Sequence, residues 1–300
     1  MIKRWNKVFA TSVLTVCVTS LGGLASAGPS EIERSDRVLG WVAELGRGTV
    51  SSYVRLQPDG IPDAIGVVFS AGALEGLPEG SDYHHCFDRD ADGTIDARAE
   101  CLHNHEYVLP LPDIAARRVD LPFKWVLLNW NPEGHIPPGV YDVPHFDVHF
   151  FMDRIENVFA LQAGPCGAEL MRCDQFAIAR RPVPDGYMHP DFKDVEGVVP
   201  AMGNHLIDLT GPEFHGEPFT RSWIFGVYDG RVTFYEEMVA LAHLQGRPDA
   251  CSPIKSPPAV DRTGFYPTVS CLRHDAETGE TTVSMEQFVR REAHVLTALQ

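Results

Sequence analysis

Positive charge is scarce in this chain: 25 Lys and Arg stand against 41 Asp and Glu, a formal net charge of −16 over 300 residues. Such a surface repels nucleic acid and anionic lipid and attracts cations. Long apolar runs are lacking too, apart from Val8 to Leu24 near the start. No Cys-x-x-Cys occurs, which removes thioredoxin-like and zinc-ribbon roles. There is no Gly-x-Ser-x-Gly elbow, phosphate-cradling Gly-rich loop, dinucleotide fingerprint or His-Glu-x-x-His helix. The two-carboxylate pattern of a glycosidase stays open in a chain this rich in acids.

What is present begins with a targeting pattern. Lys3, Arg4 and Lys7 form a basic start, the apolar stretch follows, and Ala25-Ser26-Ala27 precedes Gly28. The stretch is short for a bilayer span and broken by Thr, Ser and Gly, so residues 1–27 read as a secretory signal peptide. The remainder, 28–300, reads as a single β-rich domain, exported to periplasm or medium and without a membrane span. Losing the leader removes three positive charges and leaves 22 basic against 41 acidic residues, a formal −19. Six cysteines remain: Cys86, Cys101, Cys166, Cys173, Cys251 and Cys271. An even count in an exported chain implies disulfides, and the sequence-local couples 86–101, 166–173 and 251–271 are the simplest pairing.

Turn signals from 26 Gly and 23 Pro separate short apolar segments. Thr49–Leu56 and Ala64–Ser70 read as strands joined across Pro58-Asp59-Gly60. Glu106–Leu111, Phe123–Asn129 and Val140–Met152 follow as strands, and Asp153 is placed to cap a helix running to about Leu161. Residues 163–200 read as irregular loop. Asp229-Gly230 in "SWIFGVYDGRVTFYEEMVA" marks a hairpin, and a second surrounds Glu277-Thr278-Gly279. No long helical period or internal repeat is present. The expected fold is mostly β, an antiparallel β-sandwich or cupin-like barrel with one or two short helices.

Two motifs carry chemistry. In "CFDRDADGTIDARAEC", Asp88, Asp90 and Asp92 alternate, Gly93 allows a sharp turn, the Thr94 carbonyl adds an oxygen, and Asp96 and Glu100 complete an oxygen-rich set. That pattern predicts Ca2+ as a structural ion, with Ile95 tucked into the core. It departs from the helix-loop-helix calcium pattern, because Ala99 holds the twelfth position and Glu100 comes one residue late. Closure by Cys86–Cys101 is worth on the order of 3 kcal/mol in the chain-entropy picture.

The other motif is "PHFDVHFFMD". Strict alternation sets His145, Asp147 and His149 on one strand face and Phe146, Val148 and Phe150 on the other. Same-face neighbours lie about 6.7 Å apart, so one ion takes Asp147 with either histidine, and both histidines only if the strand bends. His205, in "AMGNHLIDL", and Glu236 are the candidate partners from elsewhere, with His135 and Glu237 as further pocket candidates. Histidines with a carboxylate suit Zn2+, Mn2+, Fe2+ or copper. Asp147 is a ligand or a group orienting a ligand histidine.

"GHIPPGVYDVPHFDVHFFM", "MGNHLIDL" and "FTRSWIFGVYDGRVTFYEEM" together resemble a family of exported bacterial domains of unknown function. That family is marked by a His-Phe-Asp-x-His-Phe-Tyr signature, a Met-Gly-x-His segment and a Tyr-Asp-Gly hairpin ending in Glu-Pro-Met. The resemblance spans roughly residues 45–295. By position His145, Asp147, His149, His205 and Glu236 correspond to its pattern, whereas Phe151 replaces a Tyr and Glu237 a Pro. The resemblance implies an exported, β-rich, oligomeric protein and no known reaction. Two functions follow as expectations. One is a metal-binding pocket acting on or holding a small molecule. The other is a homo-oligomer of the envelope or stress response, made durable by calcium and disulfides, with the histidines as a buried polar network.

Overall fold

Alternation of side chains along the strands sets the architecture, seen in a computed structural model that describes residues 36–294. The expected signal peptide lies outside those residues. The strands are β1 (Arg37–Leu45), β2 (Gly48–Leu56), β3 (Pro62–Phe69), β4 (His105–Pro110), β5 (Trp125–Asn131), β6 (His145–Phe151), β7 (Ala163–Cys166) and β8 (Phe192–Val199). They continue as β9 (Gly203–Asp208), β10 (Arg221–Tyr228), β11 (Arg231–Ala240), β12 (Ala250–Pro253), β13 (Gly264–Tyr266), β14 (Val269–His274), β15 (Thr281–Glu286) and β16 (Val289–Arg291). One sheet runs β1-β2-β3-β15-β14-β12 and the other β4-β5-β6-β11-β10-β9-β8, with β13 and β16 as a small separate pair. Both large sheets are antiparallel and have open edges. The fold is therefore a β-sandwich and not a closed barrel.

The core lies between the sheets. Val54, Ile65, Val67, Val283 and Met285 of the first meet Val126, Leu128, Phe146, Val148 and Phe150 of the second. Phe69 packs on Phe146 with ring centroids 5.2 Å apart. Each such side chain contributes about 1.5–3 kcal/mol on burial. Polar groups also cross this interior. The Arg221 guanidinium donates to both Glu237 carboxylate oxygens at 2.8 and 2.9 Å, and Ser270 Oγ, from the opposite sheet, donates to Glu237 Oε2 at 2.6 Å.

The second sheet is unusual in being covered on its other face as well, so β5 and β6 are buried throughout. Two small apolar clusters lie on that outer face. One gathers Trp125, Leu127, Phe151, Val158, Met202 and Phe234, and the other Tyr141, Ile207, Phe219, Ile224, Met238 and Ala240. Phe146, Val148 and Phe150 point into the sandwich, which turns His145, Asp147 and His149 outward between these clusters.

The three disulfides join Cys86–Cys101, Cys166–Cys173 and Cys251–Cys271. Among the described residues no helix is long and apolar enough to cross a membrane. Among the described residues, helical content is five short helices and one 3-10 turn, more pieces than the sequence announces. The helix after Asp153 covers only Ile155–Val158, with Arg154 at its N-cap and no side-chain cap. Residues 163–200 are not loop throughout: β7, a helix at Cys173–Ala179 and β8 lie there. Lys193, Asp194 and Glu196 hide β8 from a reading of apolar alternation, and Glu196 takes φ +64° at a break in its register with β9. Ile95 is 47% exposed and does not enter the core.

Candidate metal centre

The site is assembled by sheet register. On β6 and β11, His149 lies directly opposite Glu236, and Asp147 opposite Met238. On β9, His205 pairs with Gly226 of β10, and Gly226 in turn pairs with Phe234 of β11. Gly226 matters because a Cβ there would come within 1.9–2.2 Å of the Phe234 ring. The bare backbone lets Phe234 lie over β10, where it packs on His149 and His205 with ring centroids 5.1 Å away in each case.

His149, His205 and Glu236 form one triad: each offers a ligand atom within 4.8 Å of the others. His149 Nε2 is 3.4 Å from Glu236 Oε1, and His205 Nε2 is 3.7 Å from Glu236 Oε2. Two ligands held about 2.0–2.2 Å from a tetrahedral ion lie about 3.4 Å apart, so these spacings suit a shared cation. The far nitrogens fix the tautomers. His149 Nδ1 donates to the Leu127 carbonyl at 3.2 Å and His205 Nδ1 to the Gly197 carbonyl at 2.9 Å. In the neutral rings both Nε2 atoms therefore present lone pairs to a carboxylate whose Oε2 is buried without a hydrogen-bond partner.

The electrostatics agree. Burial, then the neighbouring His205, lowers His149 to about 3. Burial lowers His205 to about 4 despite the Gly197 hydrogen bond. Burial, with Asp147 and Glu237 adding repulsion, raises Glu236 well above the usual carboxylate range. Without an ion, burial favours the neutral form of each of the three groups.

His135, His145 and Asp147 make a second triad beside the first. His145 Nε2 is 3.2 Å from Asp147 Oδ1, and His135 Nε2 is 3.3 Å from Asp147 Oδ2. Asn131 Nδ2 donates to Asp147 Oδ2 at 2.7 Å, and His145 Nδ1 donates to the Val143 carbonyl at 2.6 Å. This triad carries charge. Burial opposes ionisation of Asp147, yet His145 and His135 hold it well below the usual range. Burial likewise pulls His135 down, but Asp147 and the Ile136 carbonyl prevail and raise it.

The five residues of the sequence motif are thus brought to one place but not onto one point. β6 is not bent enough for His145 and His149 to share an ion, so His145 sides with His135 and Asp147, and His149 with His205 and Glu236. Glu237 is on the opposite face, inside the sandwich with Arg221, because alternation sends neighbours apart. Both triads border a cavity of about 310 Å³ that Met202, Ile207, Phe214, Ile224 and Met238 line with apolar surface. Asn131 lies two residues beyond the strand read from the sequence, Phe123–Asn129, and ends the observed strand β5. Tyr141, Ser222 and Glu213 form a buried cluster below the cavity, where Ser222 Oγ donates to Glu213 Oε1 at 2.6 Å. Burial raises the Tyr141 hydroxyl above its ordinary value. Nothing local in the sequence signals that cluster.

In the disulfide-closed loop, oxygens of Asp88, Asp90 and Glu100 converge within 4.8 Å. Asp92, Thr94 and Asp96 instead hold the loop's shape: Asp92 Oδ1 accepts from Thr94 N and Oγ1, and Asp96 Oδ1 accepts from Arg98 N. Glu100 folds back so that Oε1 accepts from Arg89 N at 2.6 Å and Oε2 from Asp96 N at 3.0 Å. Comparisons with known families, with curated proteins and with solved structures found no match, so function is argued from this geometry.

Proposed function

We propose that this is an exported metal-binding β-sandwich protein whose cavity seats a transition metal on His149, His205 and Glu236 and receives a small molecule beside it. One observation carries the reading: two imidazole lone pairs, fixed by backbone carbonyls, face one buried carboxylate at ligand-to-ligand distances. A borderline ion such as Zn2+, Mn2+ or Fe2+ matches this donor set. Three protein ligands leave a coordination position free, which supplies Lewis acidity for polarising a carbonyl or activating water. His145 and Asp147, with His135, flank that seat as a charged group able to orient a polar substituent. The apolar lining, and a rim at which Ile136, Val195 and Leu209 are 42, 42 and 39% exposed, suit a ligand with an apolar body and one polar head.

The resemblance to the exported bacterial family belongs to the same proposal, since four of its five matching positions, Asp147, His149, His205 and Glu236, line this cavity and the fifth, His145, stands against Asp147. For the loop at 86–101 we propose Ca2+ on Asp88, Asp90 and Glu100, supported by Asp88 Oδ1, a buried oxygen without a partner. Elemental analysis of the disulfide-intact protein tests the main reading. It is expected to find bound transition metal, one equivalent of which His149→Ala and His205→Ala each remove; wild-type content in both variants rejects it. A second reading, a durable homo-oligomer of the envelope, draws on β1, an edge strand exposing Val38, Leu39, Trp41 and Val42. Under it only calcium is found, and Trp41→Lys dissolves the assembly in sedimentation.

A further inference from the structure

We propose a second transition-metal seat, outside the cavity and with a ligand set of its own, formed by His84, His85 and Glu106. One ligand atom from each lies within 4.8 Å of the other two. His84 Nδ1 is 3.9 Å from Glu106 Oε1, and His85 Nε2 is 3.7 Å from Glu106 Oε2. Both separations are too long for hydrogen bonds, whose heavy atoms approach to about 2.7–3.2 Å. They suit two ligands about 2.1 Å from one ion, which span about 3.4 Å at the tetrahedral angle and more as it opens.

The protonation pattern agrees. His84 Nε2 is 3.0 Å from the Asn104 carbonyl oxygen, which only accepts, so Nε2 donates and Nδ1 is the bare nitrogen of the neutral ring. That Nδ1 and the facing Glu106 Oε1 are both buried and lack a hydrogen-bond partner. Two acceptors turned toward each other at this distance leave a gap that a cation fills favourably.

The backbone is arranged for it. Consecutive side chains of an extended segment point opposite ways. Here His85 takes φ +49°, in the left-handed region, and the two rings come edge to face with centroids 4.8 Å apart. Histidine tolerates that region better than most residues, and such outliers concentrate at binding sites. Reciprocal backbone hydrogen bonds between His84 and Leu102, at 3.0 and 2.9 Å, and the Cys86–Cys101 bridge hold the segment in place. The three side chains keep 22, 23 and 16% of their surface exposed, enough for an ion to enter from solvent.

Glu106 is on β4, opposite Asn129 of β5, and Asn129 is opposite Asp147 of β6. The outer seat and the cavity therefore share one row of the sheet, two strands and about 9.5 Å apart. Asn104 joins them: it meets His84, accepts from Asn129 Nδ2 at 3.0 Å, and lines the cavity. An ion on His84, His85 and Glu106 pins that wall. Nitrogen donors in the set select a zinc-type ion over calcium.

The test is a zinc titration of the disulfide-intact protein, with bound metal counted after desalting, for wild type, His85→Ala, Glu106→Gln and His149→Ala. We expect His85→Ala to bind one equivalent fewer than wild type, and Glu106→Gln to weaken that equivalent at least tenfold. Combining His85→Ala with His149→Ala is expected to remove a further equivalent. Wild-type stoichiometry and affinity in both His85→Ala and Glu106→Gln overturn the outer seat, whatever His149→Ala does. Loss in His85→Ala with none in His149→Ala upholds it and rejects the cavity reading instead. Glu106→Gln preserves side-chain shape, so it decides the matter should His85→Ala misfold.

Discussion

At the scale of the residue, the inner triad makes opposite demands on protons and on metal. His149 and His205, depressed to about 3 and 4, favour folding above the pKa of an unfolded histidine, about 6.5, and lose that contribution as pH falls. Glu236, raised, favours folding below the unfolded carboxylate value and loses its contribution as pH climbs toward its folded one. Between the two unfolded values the two histidines outweigh the one glutamate, so the metal-free protein is expected to be most stable at about pH 6.5. A bound ion needs deprotonated ligands, so added Zn2+ is expected to raise Tm strongly at pH 7.5 and little at pH 5. Calorimetry with and without Zn2+ across that range measures it, and a pH-independent Zn2+ shift contradicts the assignment. Glu236→Gln separates fold from function further. It replaces a neutral acid by a neutral amide, so metal-free stability is expected to change by less than about 1 kcal/mol. Zn2+ affinity, read by competition with a chromogenic chelator, is expected to fall at least tenfold. The alternation in "PHFDVHFFMD" made His145, Asp147 and His149 legible as one face. Their division between two triads was not, because His205 and Glu236 arrive through pairings of β6, β11, β10 and β9 that no local pattern encodes.

At the scale of the element, β10 depends on a missing side chain. Gly226→Ala puts a methyl group where the Phe234 ring lies, and the ring has to leave its place against His149 and His205. The expected cost is about 1–3 kcal/mol in denaturant unfolding, as for other overpacked sites, together with weakened Zn2+ binding. Unchanged values for both remove Phe234 from the support of the centre. The hairpin itself was readable: Asp229 and Gly230 take φ +51° and +71°, the geometry that Asp-Gly supplies between β10 and β11. Gly226, three residues earlier, sits inside the strand β10 and not in the turn. Its purpose lies across the sheet, where a sequence window does not reach. β1 stayed hidden for a related reason, since Val38, Leu39, Trp41 and Val42 face outward and break the apolar-in, polar-out rule.

At the scale of the whole molecule, two neighbouring glutamates divide the work. Glu236 faces the cavity, and Glu237 ties the two sheets together through Arg221 and Ser270. Glu237 is 1% exposed and Arg221 16%, so the pair is largely cut off from water. Removing one partner strands a buried charge, whereas removing both strands none. Arg221→Ala is accordingly expected to cost about 3–5 kcal/mol, and the double variant Arg221→Ala with Glu237→Ala distinctly less than the sum of the two single changes. The same cycle bears on the cavity. Charge on Glu237 adds to what keeps Glu236 protonated, and Arg221 cancels part of that charge at the sheet's other face. Loss of Arg221 alone should therefore raise the pH at which Zn2+ begins to bind, and loss of both should restore it. Urea midpoints give the first comparison and Zn2+ titrations from pH 5 to 8 the second. Additive stabilities would show that the sheets are held by apolar contact alone, with the Arg221–Glu237 link contributing nothing to the joint.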